Sequence, residues 1–393
     1  MFFLRLPCKV CFLLLIFYAP VLTAQVETGA ALDKALSKGD EGSLIPINIY
    51  LTQQYDNELL YQKHKETLDP ELRRELVTAT LRGFSKESQH SLLKFLQQHE
   101  IKGHVEKIRP LWIANFIHCH ASAEVVNLLL KRKDIRYIEV DKEYEMLLET
   151  DIHESVQYDL QKELPDKLDN PTLAWNVTHI LADQVWDLGF TGQDIVVAIL
   201  DTGVNYDHED IQGNMWEHPN YPNHGYNFVE NNYNPMDLQS HGTHVAGTVA
   251  GNGSSGIITG IAPGAEIMAV KVLSDQGGGT LAGVLAGIEF AVDHGAHLLN
   301  LSLGFSNAGN QNRSIMRTAM DNVRNAGSIA TVASGNEGSQ GSPPNQVRTP
   351  GDVPPPWLHP DQTLTGGTSG VISVGSVDNT STVAASSSRG PVQ

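Results

Sequence analysis

The sequence predicts an α/β protein built on a doubly wound parallel sheet, preceded by a smaller α+β module. Two observations carry this. Between residues 169 and 393, short apolar runs such as "DIVVAILDTG", "EIMAVKVL", "HLLNLSLG" and "SIATVASGN" alternate with helical stretches, as strands buried in a parallel sheet do. Upstream, residues 44–146 run strand, helix, strand, strand, helix, strand, the order of a ferredoxin-like module.

Taken in order, the chain opens with Arg5 and Lys9 ahead of an apolar run from Val10 to Leu22, the layout of a signal peptide over 1–24. The run is short for a bilayer span, and no later segment is apolar enough to cross one. Residues 25–43 are small and polar and read as a tether. The module follows: a strand at Leu44–Leu51, then a long helix over Pro70–His99 capped by Asp69. Strands "GHVEKI" and "LWIANFIHC" come next, split by Arg109-Pro110, then helix "AEVVNLLLKR" and strand "DIRYIEVD". Residues 147–168 are charged and irregular, a linker with a processing site. In the remaining 169–393, the helix that begins at His241 follows the first long strand. Beyond the strands quoted above lie helices "TLAGVLAGIEFAVDHG" and "RSIMRTAMDNVRNAG" and a last strand in "GVISVGSVD".

The 393 residues carry a formal charge of −18, unevenly spread. Residues 1–150 hold 19 basic and 20 acidic side chains, whereas the remainder holds 8 and 25. So acidic a body lacks the cationic footprint that nucleic acid requires. Acidity serves solubility first; calcium binding is the functional alternative. Of three cysteines, Cys8 and Cys11 lie in the leader, so the product keeps Cys119 alone and no internal disulfide.

Three strand and helix ends carry chemistry. Asp201 leaves the first long strand in "ILDTGVNYDHEDI" and is either a turn cap or a carboxylate for a histidine. In "SHGTHVAGTVAGN", His241 and His244 stand three apart at a helix start with Ser240 as N-cap. If sheet order sets the two side by side, Asp201 accepts the ring N–H of His241, fixing its tautomer and stabilising its imidazolium. Asn336, in "TVASGNEG", is a left-handed turn residue or an amide that donates to an oxyanion. A zinc reading of the His pair lacks a third ligand at the usual spacing.

"LDTGVNYDHEDI", "HGTHVAGTVAG", "VKVLSDQGGGTLAGVLAGIEFAV", "NLSLG", "VASGNEG" and "SSSRGP", in that order, resemble the landmarks of the subtilisin-like serine peptidases from about Trp175 onward. The resemblance implies the subtilisin fold, with Asp201 and His241 as triad acid and base, His244 as packing and Asn336 as oxyanion donor. It implies two backbone edges for peptide or protein substrates, Gly277–Gly278–Gly279 and Ser302–Leu303–Gly304. Residues 44–146 resemble the family's propeptide, an inhibitor and folding aid whose tail "KEYEMLLE" would lie near Gly277–Gly279. Asp210 matches a ligand for structural calcium; catalysis itself needs no cofactor. The expected product is a secreted monomeric endopeptidase precursor, with no membrane role after signal removal.

The family's serine stands a few dozen residues after the "SSRG" landmark, in a Gly-Thr-Ser-Met-Ala setting that opens a helix; no such stretch occurs in residues 1–393. Ser369, in "GGTSGVISVG", precedes a strand run instead and reads as a loop residue. The expectation is therefore a product truncated before its nucleophile and inactive as it stands. The alternative is a non-catalytic peptidase homologue that binds peptides or acts through its inhibitor-like module.

Overall fold

The computed structural model describes residues 26–38, 43–146, 172–305, 310–339, 346–353 and 370–390. The leader (1–24), the linker (147–168), Ser369 and most of the Pro-rich stretch between Gly341 and Gly366 lie outside the described residues.

The N-terminal unit comprises β1 (Glu27–Thr28), α1 (Ala30–Lys38), β2 (Ile45–Leu51), α2 (Asn57–His64), α3 (Pro70–Glu100), β3 (Val105–Leu111), β4 (Phe116–Ala121), α4 (Ala123–Leu129), β5 (Ile135–Val140) and β6 (Tyr144–Glu145). Five of these strands form a sheet in the order β1-β5-β2-β4-β3. Helix α3 starts where the Asp69 carboxylate accepts from the backbone N–H groups of Glu71 and Leu72, with Pro70 in the first turn. Its buried face is Val77, Leu81, Ser85, Gln89, Leu92 and Leu96, one side chain per turn.

Two expectations are corrected here. The tether at 25–43 contains an ordered strand and helix: β1 pairs in parallel with β5, and Leu32 of α1 is fully buried in the core of the sheet. Leu32 and Leu36 lie four apart, a helical spacing too short-lived to stand out in a polar stretch. The break between the two middle strands falls at residues 112–115, not at Arg109-Pro110. Pro110 sits inside β3 because β3 is the edge strand, where a missing N–H costs no ladder bond.

The second unit comprises β7 (Thr172–Leu173), α5 (Trp175–His179), α6 (Ala182–Trp186), β8 (Val196–Asp201), β9 (Gly225–Asn227), α7 (His241–Ala250), β10 (Ile257–Ile258), β11 (Glu266–Lys271), β12 (Gly278–Gly279), α8 (Leu281–Asp293), β13 (Leu298–Leu301), α9 (Asn310–Asn325), β14 (Ile329–Ala333) and β15 (Val371–Val374). Its main sheet runs β15-β14-β13-β8-β11-β9, every pair parallel. From β8 the chain passes through β9 and β11 on one side and then returns to β13 on the other. The order thus reverses at β8, and such switch points open a crevice beyond the strands' carboxyl ends.

The two units share a core. Helix α8 is buried nearly all round, with Leu200 and Val270 of the sheet and Leu111 and Trp112 of the N-terminal unit in the same apolar cluster. Polar contacts close the seam: Glu289 accepts from the backbone N–H groups of Trp112 (2.6 Å) and Ile113 (3.0 Å), and Arg82 pairs with Asp293 at 2.6 Å. Burial pushes the Glu289 carboxyl up to about 8, against the pull of those two N–H donors.

Candidate active site

Strand β8 delivers Asp201, fully buried, to the switch point. Helix α7 reaches it because Gly242 carries no side chain: a Cβ there would sit 2.0 Å from the Gly203 carbonyl oxygen and 3.1 Å from the Asp201 Cβ. That approach sets His241 Nδ1 2.7 Å from Asp201 Oδ1. The Thr202 backbone N–H donates to the same oxygen at 2.7 Å. A ring whose Nδ1–H is committed to a buried carboxylate carries its lone pair on Nε2, the state a general base needs.

Ser240 holds the N-cap position but does not supply the side-chain cap expected of it. Its backbone is left-handed (φ 92°) and its side chain makes no capping bond. Asp237 supplies the cap from three residues further out. Its Oδ1 accepts from the N–H groups of Gln239 (2.9 Å) and Ser240 (3.0 Å), and its Oδ2 from the Thr243 N–H (2.9 Å) and hydroxyl (2.6 Å). Burial would raise the Asp237 carboxyl, but these hydrogen bonds outweigh it and hold the group below its ordinary value. Thr202 ties the cap to the strand: its hydroxyl donates to Asp237 Oδ1 and accepts from the Gly242 N–H, both at 3.0 Å.

Lys271 ends β11 directly opposite Asp201 in the parallel register. It is buried, donates to the Thr202 carbonyl, and pairs with Asp275 at 2.7 Å. Sequence reasoning passed over Thr202, Asp237 and Lys271. A lysine inside "EIMAVKVL" and an aspartate four residues before the His241 helix were the available signals.

The two expected edges flank residues 144–146. Strand β6 pairs antiparallel with β12, with Tyr144 opposite Gly279 and Glu145 opposite Gly278. The Met146 N–H donates to the Gly277 carbonyl (3.2 Å), and the Gly304 N–H to the Met146 carbonyl (3.1 Å). Gly279 must be small: a Cβ would lie 2.9 Å from the Val272 carbonyl oxygen and 3.1 Å from the Met146 sulfur. Beside Gly304, Leu303 is fully buried, and Ser302 accepts from Asn300 Nδ2 at 3.0 Å. Asn336 lines a cavity of about 250 Å³ with Asn300, Ser302, Thr331, Ser334 and Ser376.

One further expectation changes. His244 is not packing; it lies exposed one turn along α7, lining a cleft of about 1010 Å³ with Trp175 and Asp210. A helix with one side open to a cleft leaves a residue on each turn solvated, here His244 and Thr248. Both carboxylate oxygens of Asp210 face donors, the Ser255 N–H (2.7 Å) and hydroxyl (2.5 Å). Among the described residues no group of three His, Cys, Asp or Glu side chains could hold a metal, and no helix is long and apolar enough to cross a membrane.

Residues 192–393 match the Subtilase family. The chain is 41% identical over 181 residues to the minor extracellular protease Vpr of Bacillus subtilis (strain 168), an overlap of 44% of this chain and 21% of Vpr. It is 42% identical over 161 residues to the thermophilic serine proteinase of Bacillus sp. (strain AK1), covering 40% and 37% of the two chains. Against subtilisin E of Bacillus subtilis (strain 168) the figures are 34% over 172 residues, 44% and 42%. The matched region thus spans less than half of each of these relatives. The mixed α/β architecture with its parallel sheet fits the subtilisin fold, and with the match extending over more than half of its length the chain belongs to the subtilase family.

Proposed function

We propose that this chain is the precursor of a secreted serine endopeptidase, with Asp201 and His241 as the acid and base of its triad. The observation that carries this is the 2.7 Å hydrogen bond from His241 Nδ1 to the buried Asp201 carboxylate, at the switch point of the sheet. In the reaction, His241 Nε2 takes the proton of a serine hydroxyl as that oxygen attacks the scissile carbonyl. The imidazolium, stabilised by Asp201, then returns the proton to the leaving amine. The Asn336 side-chain amide donates to the oxyanion of the tetrahedral intermediate. Gly277–Gly279 and Ser302–Gly304 hold the peptide as an added strand between them.

The N-terminal unit is the propeptide, a ferredoxin-like inhibitor and folding aid. Residues 144–146, lying between the two edges in the manner of a bound peptide, support that role. Parallel strands paired over long sequence separations fold slowly, so a preformed surface against α8 and α9 has a physical use. The nucleophile is assigned to no residue of 1–393.

Two preparations test this: the natural full-length product carrying these residues, and residues 1–393 alone. A fluorophosphonate probe should label the first at a serine, and the first should cleave denatured protein; the second should do neither. A full-length product that binds peptides but is neither labelled nor active would establish the non-catalytic alternative.

A further inference from the structure

We infer that Asn312 reads the hydroxyl of a tyrosine side chain at the position Tyr144 occupies, so that the peptides taken by this cleft carry tyrosine there. This rests on the cleft between β12 and Gly304 being a peptide-binding cleft.

Successive side chains of an added strand point to opposite sides, and only one set enters pockets. Here Tyr144 and Met146 turn inward while Glu145 is exposed. The Tyr144 ring meets Phe305 edge-on, with centroids 5.1 Å apart. Its hydroxyl oxygen accepts from Asn312 Nδ2 at 2.8 Å, and Asn312 is 2% exposed at the start of α9. Phe305 and Asn312 both belong to the second unit, so they stay when another peptide replaces residues 144–146.

On its other side, Asn312 Oδ1 lies 3.2 Å from the Tyr50 hydroxyl, whose one hydrogen goes to Glu139 Oε1 at 2.5 Å, so the shorter bond to Tyr144 is the better one the amide makes. Burial raises the Tyr144 phenol to about 12, so it stays protonated at neutral pH and the contact is between neutral groups. A phenylalanine in the same place would fill the apolar wall formed by Phe305 and leave a buried N–H unpaired. Such a loss discriminates against the analogue by about tenfold. An apolar pocket without Asn312 would treat the two rings alike.

Two measurements test the inference. In residues 1–393, Tyr144→Phe and Asn312→Ala are combined in a double-mutant cycle read by urea unfolding. Each single change should lower the folding constant several-fold, and the double change should cost little more than Asn312→Ala alone. Additive effects would overturn the assignment. In the full-length product, cut sites in a denatured protein mixture are mapped by mass spectrometry. Tyrosine should exceed phenylalanine about tenfold at one fixed position before the cut, and Asn312→Ala should bring that ratio near one. Cutting with equal use of both rings overturns the inference while leaving the peptidase reading intact. No cutting at all sinks the peptidase reading, and the cycle then decides alone whether Asn312 recognises the hydroxyl. If Asn312→Ala does not fold, Tyr144→Phe must still destabilise several-fold; an unchanged folding constant counts against the proposal.

Discussion

Asp237 holds Thr243 twice, by its backbone N–H and by its hydroxyl, through a single carboxylate oxygen. The other oxygen gathers the Gln239 and Ser240 N–H groups and the Thr202 hydroxyl. The helix that carries His241 is therefore capped and tied to the Asp201 strand by one side chain.

Replacing Asp237 with Asn should cost about 2 kcal/mol at pH 7, because a neutral amide loses charge-assisted bonds and presents one oxygen instead of two. The folded carboxyl is held below its ordinary value. Its contribution is therefore present above the unfolded pKa of about 3.9 and is lost as pH falls through the lower folded value. Urea unfolding of both proteins at pH 7 and near pH 2.5 should show the gap closing with acid. A gap independent of pH would mean the cap acts by shape alone.

Glu289 has the opposite sign. Its folded pKa is raised to about 8 from an ordinary 4.5, chiefly by burial. Stability from the protonated form is fully present below the unfolded value and is lost as pH rises through about 8. The seam between the two units should loosen between pH 5 and 9, and Glu289→Gln should flatten that slope. Hydrogen exchange of the Trp112 and Ile113 amides across this range measures it directly; protection that rises with pH would reverse the assignment.

His241 and His244 should part company. In the full-length product, His241→Ala should lower turnover on the order of ten-thousandfold or more. His244 is exposed, so His244→Ala should stay within about 0.5 kcal/mol of the parent's stability. Matched losses of turnover in two well-folded variants would place the base elsewhere.

At Gly279, alanine should displace residues 144–146, since its Cβ would press on the Val272 carbonyl and the Met146 sulfur. A glycine-to-alanine change at Gly278 meets only the flexible end of Glu143 and should be tolerated. Limited proteolysis around Met146 compares them: faster cutting in Gly279→Ala than in Gly278→Ala is expected, and equal rates would count against a docked strand.

What the sequence determined by itself was whatever local patterning controls. Apolar runs such as "VVAILD" and "EIMAVK" declare buried parallel strands, because a strand covered on both faces has no polar side to alternate with. The face of α3 and the Asp69 cap are legible for the same reason: each is decided within one or two turns of chain. The ordered motifs placed Asp201 and His241 in one site through resemblance to a family, not through spacing. Tertiary structure decided what depends on neighbours far away in sequence. That Lys271 is buried follows from its place opposite Asp201 in the register. His244 is exposed because α7 borders a cleft on that side, although its spacing from His241 looks like a helix stripe. Pro110 is allowed in β3 because, among the described residues, no further strand pairs beyond it. The Asp237 side chain rather than that of Ser240 caps α7 because Thr202, just past the end of β8, holds the carboxylate in place. Periodicity records which face of an element is apolar. Only the packed sheet decides which elements meet, and it is that meeting which brings a buried carboxylate within 2.7 Å of an imidazole.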